Sequence, residues 1–234
     1  MDMVDKATHC DLEPYYVKID VMTNPLTEEE IEFPIYVPHE LLAAVHQFGG
    51  KTFRSLMFGC SDTEGCDRIL IDHWRHVEGS TWAKEHPVYE HRDMLRLSVP
   101  IRHHGDDVAF KTLGKRKLAV MSLHPELAPQ SSLTSRLLSF AIWYDMLIPG
   151  KTYHQILRAW SWSWRCAFAG VWPVHDHMGH EFASSSKRYM NAGRPLAGAY
   201  RCCYTGGLAD WPFHAQLYFH SSIVMPTTFA ALGI

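Results

Sequence analysis

Three apolar segments and the helix after them decide the fold: LSVPIRHH at residues 97–104, KLAVMSL at 117–123, LLSFAIWY at 137–144 and TYHQILRAWSWSWRCAFAGVW at 152–172. Each of the first three is a short, continuous apolar run, which is typical of a strand covered on both faces. In the fourth, Ile156, Leu157, Trp160, Trp164 and Phe168 recur at threes and fours, so a helix of about five turns is predicted. The three strands fit an antiparallel meander with this helix packed on it.

The chain after this helix completes the pattern. A fourth strand is expected at Leu196–Thr205, and a helix opens at Ala209 with Asp210 as its N-cap and a proline in its first turn. The order strand, strand, strand, helix, strand, helix predicts an α/β fold, namely an RNase H-like mixed sheet flanked by helices. We assign this core to residues 95–234.

Residues 1–94 predict a smaller, irregular N-terminal lobe. Two proline-bounded strands are expected at Tyr16–Val21 and Ile31–Val37, and one helix at Glu40–Phe48 that stops at a Gly-Gly pair. The stretch from Cys60 to Met94 is polar, rich in histidine and acids, and without a sustained period. It is predicted to be irregular.

Composition limits the partners of the chain. Its 234 residues are 47% hydrophobic and 20% charged, which suits a globular protein with a sizeable core. A net charge of −3 argues against a basic coat, so DNA as a partner would have to be met by a local patch. With no apolar run of about 18 residues and an acidic N-terminus, neither a membrane span nor a signal peptide is predicted.

Cysteine usage points to a compartment. The six cysteines include the adjacent pair Cys202 and Cys203, which is poor geometry for a mutual disulfide. A chain of this length folds without such bonds. We therefore expect reduced thiols and an intracellular protein, nuclear if DNA is its partner. The sequence does not indicate an oligomeric state.

Two aspartates suggest chemistry. Asp106 leaves the first core strand and Asp210 follows the fourth. Two-metal phosphoryl transfer requires carboxylates that are distant in sequence to converge at neighbouring strand ends, where they hold Mg²⁺. Simpler roles also fit, because His-Gly-Asp-Asp is good turn chemistry and an aspartate is a good helix cap.

The motifs around these aspartates carry a resemblance. They are His104-Gly105-Asp106-Asp107-Val108-Ala109, the Trp-rich helix ending at Trp172-Pro173, Gly193-Arg194-Pro195-Leu196-Ala197-Gly198, and Ala209-Asp210-Trp211. Over roughly the last 130 residues the chain resembles a multi-copy dinoflagellate protein family with His-Gly-Asp-Gly-Val-Pro and Gly-x-Pro-Leu-Ala-Gly motifs. The members of that family look like relatives of transposases that have an acidic RNase H-like centre. The resemblance implies metal-dependent DNA strand cleavage or transfer, with Asp106 and Asp210 as catalytic, Mg²⁺-binding residues.

The chain departs from the family in two ways. Asp107 and Ala109 stand where the family has Gly and Pro, and the family pattern continues into a Cys-x-x-Cys pair beyond the point where this chain ends at Ile234. No third catalytic acid is evident. A C-terminally incomplete core is therefore expected, and a non-catalytic interaction module or relic is the alternative function.

Basic residues offer candidate contacts to DNA. One set follows the first acid and the other precedes the second, and both are expected to flank the edge that carries the two aspartates. An ordinary solvated surface is the alternative. The predicted nucleic-acid-binding residues are Lys111, Lys115, Arg116, Lys117, Arg194 and Arg201, with Lys187 and Arg188 beside the second set.

Two histidine-rich segments offer a competing metal site. His175, His177 and His180 have ligand types that suit Zn²⁺, with further ligands from His103, His104 or Cys202. Cys60, Cys66, His73 and His76 form a looser Cys2His2 set. A solvent loop and a helix surface are the simpler interpretations of these segments, which leaves a zinc-stabilised binding domain as the less favoured alternative.

Overall fold

The computed structural model describes residues 12–109, 116–128 and 135–209. A hairpin and three helices precede a four-stranded sheet. The elements are β1 (Tyr15–Asn24), β2 (Thr27–Ile35), α1 (Pro38–Gln47), α2 (Gly50–Phe58), α3 (Thr63–Val77), a 3-10 segment (Pro87–Leu97), β3 (Ser98–Ala109), β4 (Lys117–Pro125), β5 (Leu137–Trp143), a 3-10 turn (Tyr144–Met146), α4 (Thr152–Ala169), α5 (Lys187–Asn191) and β6 (Arg201–Leu208).

The central sheet has the strand order β5-β4-β3-β6. β3, β4 and β5 form an antiparallel meander, and β6 returns beside β3 and runs parallel to it. α4 supplies the crossover between β5 and β6. The predicted α/β fold, a mixed sheet flanked by helices, is confirmed.

The tryptophans of α4 pack inside the protein. Trp160 is fully buried, and Trp162 and Trp164 are nearly so. The indole of Trp160 donates a hydrogen bond to the Ser139 hydroxyl on β5 at 2.8 Å. These contacts give the Trp-rich helix a packing role in the core.

The N-terminal segment differs from its prediction. It contains three helices instead of one, because α2 begins at the second glycine of the Gly-Gly pair and the stretch expected to be irregular includes α3. The Asp62 side chain accepts a hydrogen bond from the Gly65 amide and caps this helix. Cys66, Leu70 and Trp74, spaced by four, form its buried face. The polar residues between them obscured this period.

The hairpin and helices share their core with the sheet. One cluster of buried residues includes Val17 and Ile19 of β1, Phe53 of α2, Met121 of β4 and Trp160 of α4. The hairpin is also bonded to the sheet, because the Tyr36 amide donates to the Ser139 carbonyl at 2.8 Å. The boundary at residue 94 stays a prediction.

The first core strand is longer than predicted. A loop was expected at Gly105-Asp106-Asp107, but β3 continues to Ala109, and Asp106 pairs with Val120 of β4. Cross-strand pairing to β4 stabilises an extended backbone here, so the turn role proposed for Asp106 is wrong. Within the described ranges, no helix is both long and apolar enough to cross a membrane.

Candidate active face of the central sheet

Alternation along β3 presents polar side chains on one face of the sheet. His103 is buried and its ring lies 5.7 Å from that of Trp160, so it points toward α4. Because successive strand residues point to opposite faces, Arg102, His104 and Asp106 lie on the other face. Asp106 is exposed to solvent there.

The neighbouring strands extend this surface. Arg102 pairs in register with His124, and His104 with Ser122. Arg136 directly precedes Leu137, which pairs with Leu123 of β4, so it lies beside His124. We call the surface formed by Arg102, His104, Asp106, Ser122, His124 and Arg136 the polar face.

Both histidines of the polar face favour the neutral form. Burial lowers the pKa of His104, and the charge of Arg136 lowers it further while Asp106 opposes the shift. Burial also lowers the pKa of His124, with Arg102 and Arg136 acting in the same direction. Two uncharged imidazoles therefore lie beside two guanidinium groups, and each can donate one hydrogen bond.

The two arginines are not equivalent. Arg102 forms an ion pair with Glu126, whose other carboxylate oxygen lies 3.8 Å from Nε2 of His73. Burial and the charge of Arg102 lower the pKa of His73 to about 4. Arg136 is exposed and has no ion pair with any residue of the described ranges. Its charge is therefore available to a ligand.

The structure describes one of the two predicted catalytic aspartates. Asp106 is exposed on the polar face and makes no ion pair within the described residues, whereas Asp210 lies outside them. The last register pair between β3 and β6 joins His104 to Leu208. Asp107, next to Asp106, lies on the opposite face, 3.7 Å from the Lys117 ammonium.

The first basic set lies at the same end of the sheet as Asp106. Lys117 pairs in register with Ala109, and its ammonium also lies 5.8 Å from the centre of the Tyr144 ring. Arg116 is exposed beside it. Lys111 and Lys115 fall outside the described residues.

The second basic set lies at the other end. Arg201 is level with Ser98, eight residues before Asp106 on β3, a distance of roughly 26 Å at strand spacing. The two sets therefore do not flank one edge. Arg201 is also buried, donates to the Ser98 hydroxyl at 2.8 Å and lies over the Phe168 ring, so we do not retain it as a nucleic-acid contact.

Arg194 shares that end of the sheet. Its carbonyl accepts a hydrogen bond from Trp172, just beyond α4, and its neighbour Leu196 donates to Gly170. Gly170 lies so close to Arg201 that a Cβ atom on it would be 3.5 Å from Cβ of Arg201. This loop therefore lies next to the start of β6. Arg194 is exposed, but it lies far from Asp106.

Arg188 has a structural role. Its Nε donates to Oε1 of Glu40 at 2.6 Å and its Nη2 to Oε2 at 3.0 Å, while the same Nη2 reaches the carbonyls of Glu13 and Pro14. Glu40 is buried, and burial raises its pKa while Arg188 lowers it. This buried pair fastens α5 to α1 and to the start of β1.

The histidine loop is organised as a turn. The Asp176 carboxylate accepts hydrogen bonds from the amides of Met178 and His180, both at 2.8 Å. Nδ1 of His177 lies 2.6 Å from the Tyr15 hydroxyl, so this ring contacts β1. Nowhere in the described part of the chain do three or more His, Cys, Asp or Glu side chains form a group that could hold a metal ion. The zinc site at His175, His177 and His180 stays a prediction.

Sequence reasoning missed most of the polar face. His124 and Arg136 were not singled out, because β4 and β5 were treated as strands covered on both faces. The signal was present in the sequence as polar residues at alternate positions, 102, 104 and 106 on one strand and 122 and 124 on the next. That pattern marks a face without an apolar cover.

Comparisons of this chain with models of protein families, with curated proteins and with solved structures found no match.

Proposed function

We propose that this chain is a transposase-derived protein whose sheet supports metal-dependent cleavage or transfer of DNA strands, with Asp106 and Asp210 as the Mg²⁺ ligands. The observation that carries the proposal is the position of Asp106: an exposed carboxylate on an inner strand of a mixed sheet, two residues past the last pair between β3 and its parallel neighbour β6. Kinship with the dinoflagellate family is part of the same proposal.

Both acids follow one register pair of the sheet closely in sequence. His104 and Leu208 form the last pair of β3 and β6. Asp106 and Asp210 each follow that pair by two residues along the sequence. A shared metal site requires the Asp210 carboxylate to approach that of Asp106, and Asp210 itself lies outside the described residues.

The chemistry of Asp106 fits a hard cation. Its carboxylate is exposed, and it makes no ion pair within the described residues. Carboxylate oxygens are preferred Mg²⁺ ligands, and a bound Mg²⁺ supplies charge stabilisation and an activated oxygen nucleophile. Asp106 would hold the ion near the C-terminal end of β3, while Arg116 and Lys117 attract the phosphate backbone to that end of the sheet.

A second candidate is a binding module that has lost cleavage. On the described polar face Asp106 is the one carboxylate, since Glu126, at the Ile101–Pro125 end of the strand pair, is bonded to Arg102. A single acid binds Mg²⁺ weakly, whereas the basic groups around it suffice for electrostatic binding of nucleic acid. This candidate predicts DNA binding without turnover.

Cleavage of supercoiled plasmid and of labelled oligonucleotides in Mg²⁺ or Mn²⁺ tests the proposal. Asp106→Asn keeps the size of the side chain and removes its charge, and it should reduce cleavage about 100-fold or more. Asp93→Asn, at an exposed acid in the 3-10 segment, is the matched control and should cleave normally. Cleavage that is insensitive to Asp106→Asn would reject the assignment. Binding by the parent chain without any cleavage would favour the binding module.

A further inference from the structure

We propose that Arg136, His104 and His124 form a binding position for a phosphate group on the polar face, separate from the carboxylate of Asp106. The inference rests on the proposed function, because it identifies the residues that would hold the phosphate of a nucleic-acid strand. It requires no metal ion, so it can be tested by itself.

Arg136 supplies the charge. It is exposed at the start of β5 and has no carboxylate partner within the described residues. It directly precedes Leu137, the register partner of Leu123, so it lies beside His124 at the start of β5. An arginine presents several N–H donors in a planar fork that matches the oxygens of a phosphate.

The two histidines supply directed donors. Nδ1 of His124 lies 3.2 Å from the Ser135 hydroxyl, and this contact restrains the ring on β4. His104 lies beside it on the adjacent strand, since its register partner is Ser122, two residues before His124. No hydrogen bond from the His104 ring to another described residue competes with a ligand.

Arg102 lies at one end of the proposed phosphate position, and its own charge is already paired. Its charge is balanced by Glu126, and it pairs in register with His124. Around the two histidines the unbalanced positive charge is therefore that of Arg136, while the negative charge of Asp106 lies two residues beyond His104 on β3. A ligand of opposite charge is the one that this arrangement attracts.

Asp106 lies next to the phosphate position and does not occupy it. It is two residues from His104 along β3, about 7 Å at strand spacing. His124 and Arg136 lie level with Arg102, four residues from Asp106, so an anion held by Arg136 and the two rings would sit on the same face as this carboxylate, about 7–13 Å from it along the strands.

Binding of a labelled single-stranded oligonucleotide in EDTA, followed by fluorescence anisotropy at low salt, tests the proposal. Arg136→Gln should weaken binding about tenfold, since it removes one charge-assisted contact. The matched control is Arg165→Gln, an exposed arginine on α4 away from the polar face, which should bind like the parent. Equal binding by Arg136→Gln and the parent would overturn the proposal.

Inorganic phosphate separates a true phosphate position from general attraction to a polyanion. In NMR spectra, added phosphate should shift the ring signals of His104 and His124 saturably, and Arg136→Gln should abolish this response. Shifts no larger than those caused by chloride at equal ionic strength would overturn the proposal. Asp106→Asn should leave both responses in place, so loss of cleavage alone rejects the proposed function and not the phosphate position.

Discussion

Arg188→Gln should destabilise the protein strongly, although sequence reasoning grouped Arg188 with nucleic-acid contacts. The substitution removes two charge-assisted bonds to Glu40 and two to backbone carbonyls. It leaves the Glu40 carboxylate buried, with 5% of its surface exposed. Removing one partner of a buried pair costs about 3–5 kcal/mol. At this chain length that corresponds to a fall in Tm of about 6–20 °C.

The loss should depend on pH. Burial raises the pKa of Glu40 and Arg188 lowers it, so the variant holds this pKa higher than the parent does. A carboxyl whose pKa is raised in the folded state destabilises the fold as pH rises through that pKa. The destabilisation disappears when the group is protonated. The difference in unfolding free energy between parent and variant should therefore shrink as pH falls from 7 to 5.

Urea unfolding followed by tryptophan fluorescence measures both effects. Arg194→Gln, an exposed arginine in the next loop, is the control and should stay within about 0.5 kcal/mol of the parent. If Arg188→Gln unfolds like the parent but binds DNA more weakly, the structural role assigned to Arg188 is refuted.

Two further predictions concern buried histidines and one glycine. Burial lowers the pKa of His39 to about 3 and of His86 to about 4. As pH falls below the unfolded pKa near 6.5, each histidine should therefore reduce the free energy of unfolding by up to about 1.36 kcal/mol per pH unit. Equal urea midpoints at pH 7 and pH 5 would contradict this. Gly206, with φ +127°, has open space around it, so Gly206→Ala should cost about 1–3 kcal/mol through backbone strain alone. Gly79→Ala, also in open space but without a positive φ, should cost less, and equal losses would reject the strain argument.

The sequence predicted the sheet because its strands are apolar runs with clear breaks. β4, β5 and α4 lie close to their predicted positions, because their apolar residues contrast clearly with the polar residues at either end. α3 was missed because its buried side chains are three residues in a polar stretch. The length of β3 was missed because Gly105 and two aspartates suit a turn, whereas pairing with β4 keeps them extended.

The site was predicted less well than the fold. Asp106 was identified from its neighbours in sequence, and the structure places it on an exposed face. Arg201 and Arg188 were assigned to binding because their charge is visible in the sequence and their burial is not. Only tertiary structure brings Phe168 over one guanidinium and Glu40 against the other.

The bond between Tyr36 and Ser139 affects more than the position of the hairpin. β5 is the outer strand of the sheet on that side, and unpaired outer strands recruit other chains into aggregates. The chain after β2 occupies part of this edge, and the Ser139 hydroxyl in turn donates to the Tyr36 carbonyl. A fragment starting at residue 95 would lose this protection, so we expect it to self-associate and advise expressing the sheet together with its hairpin.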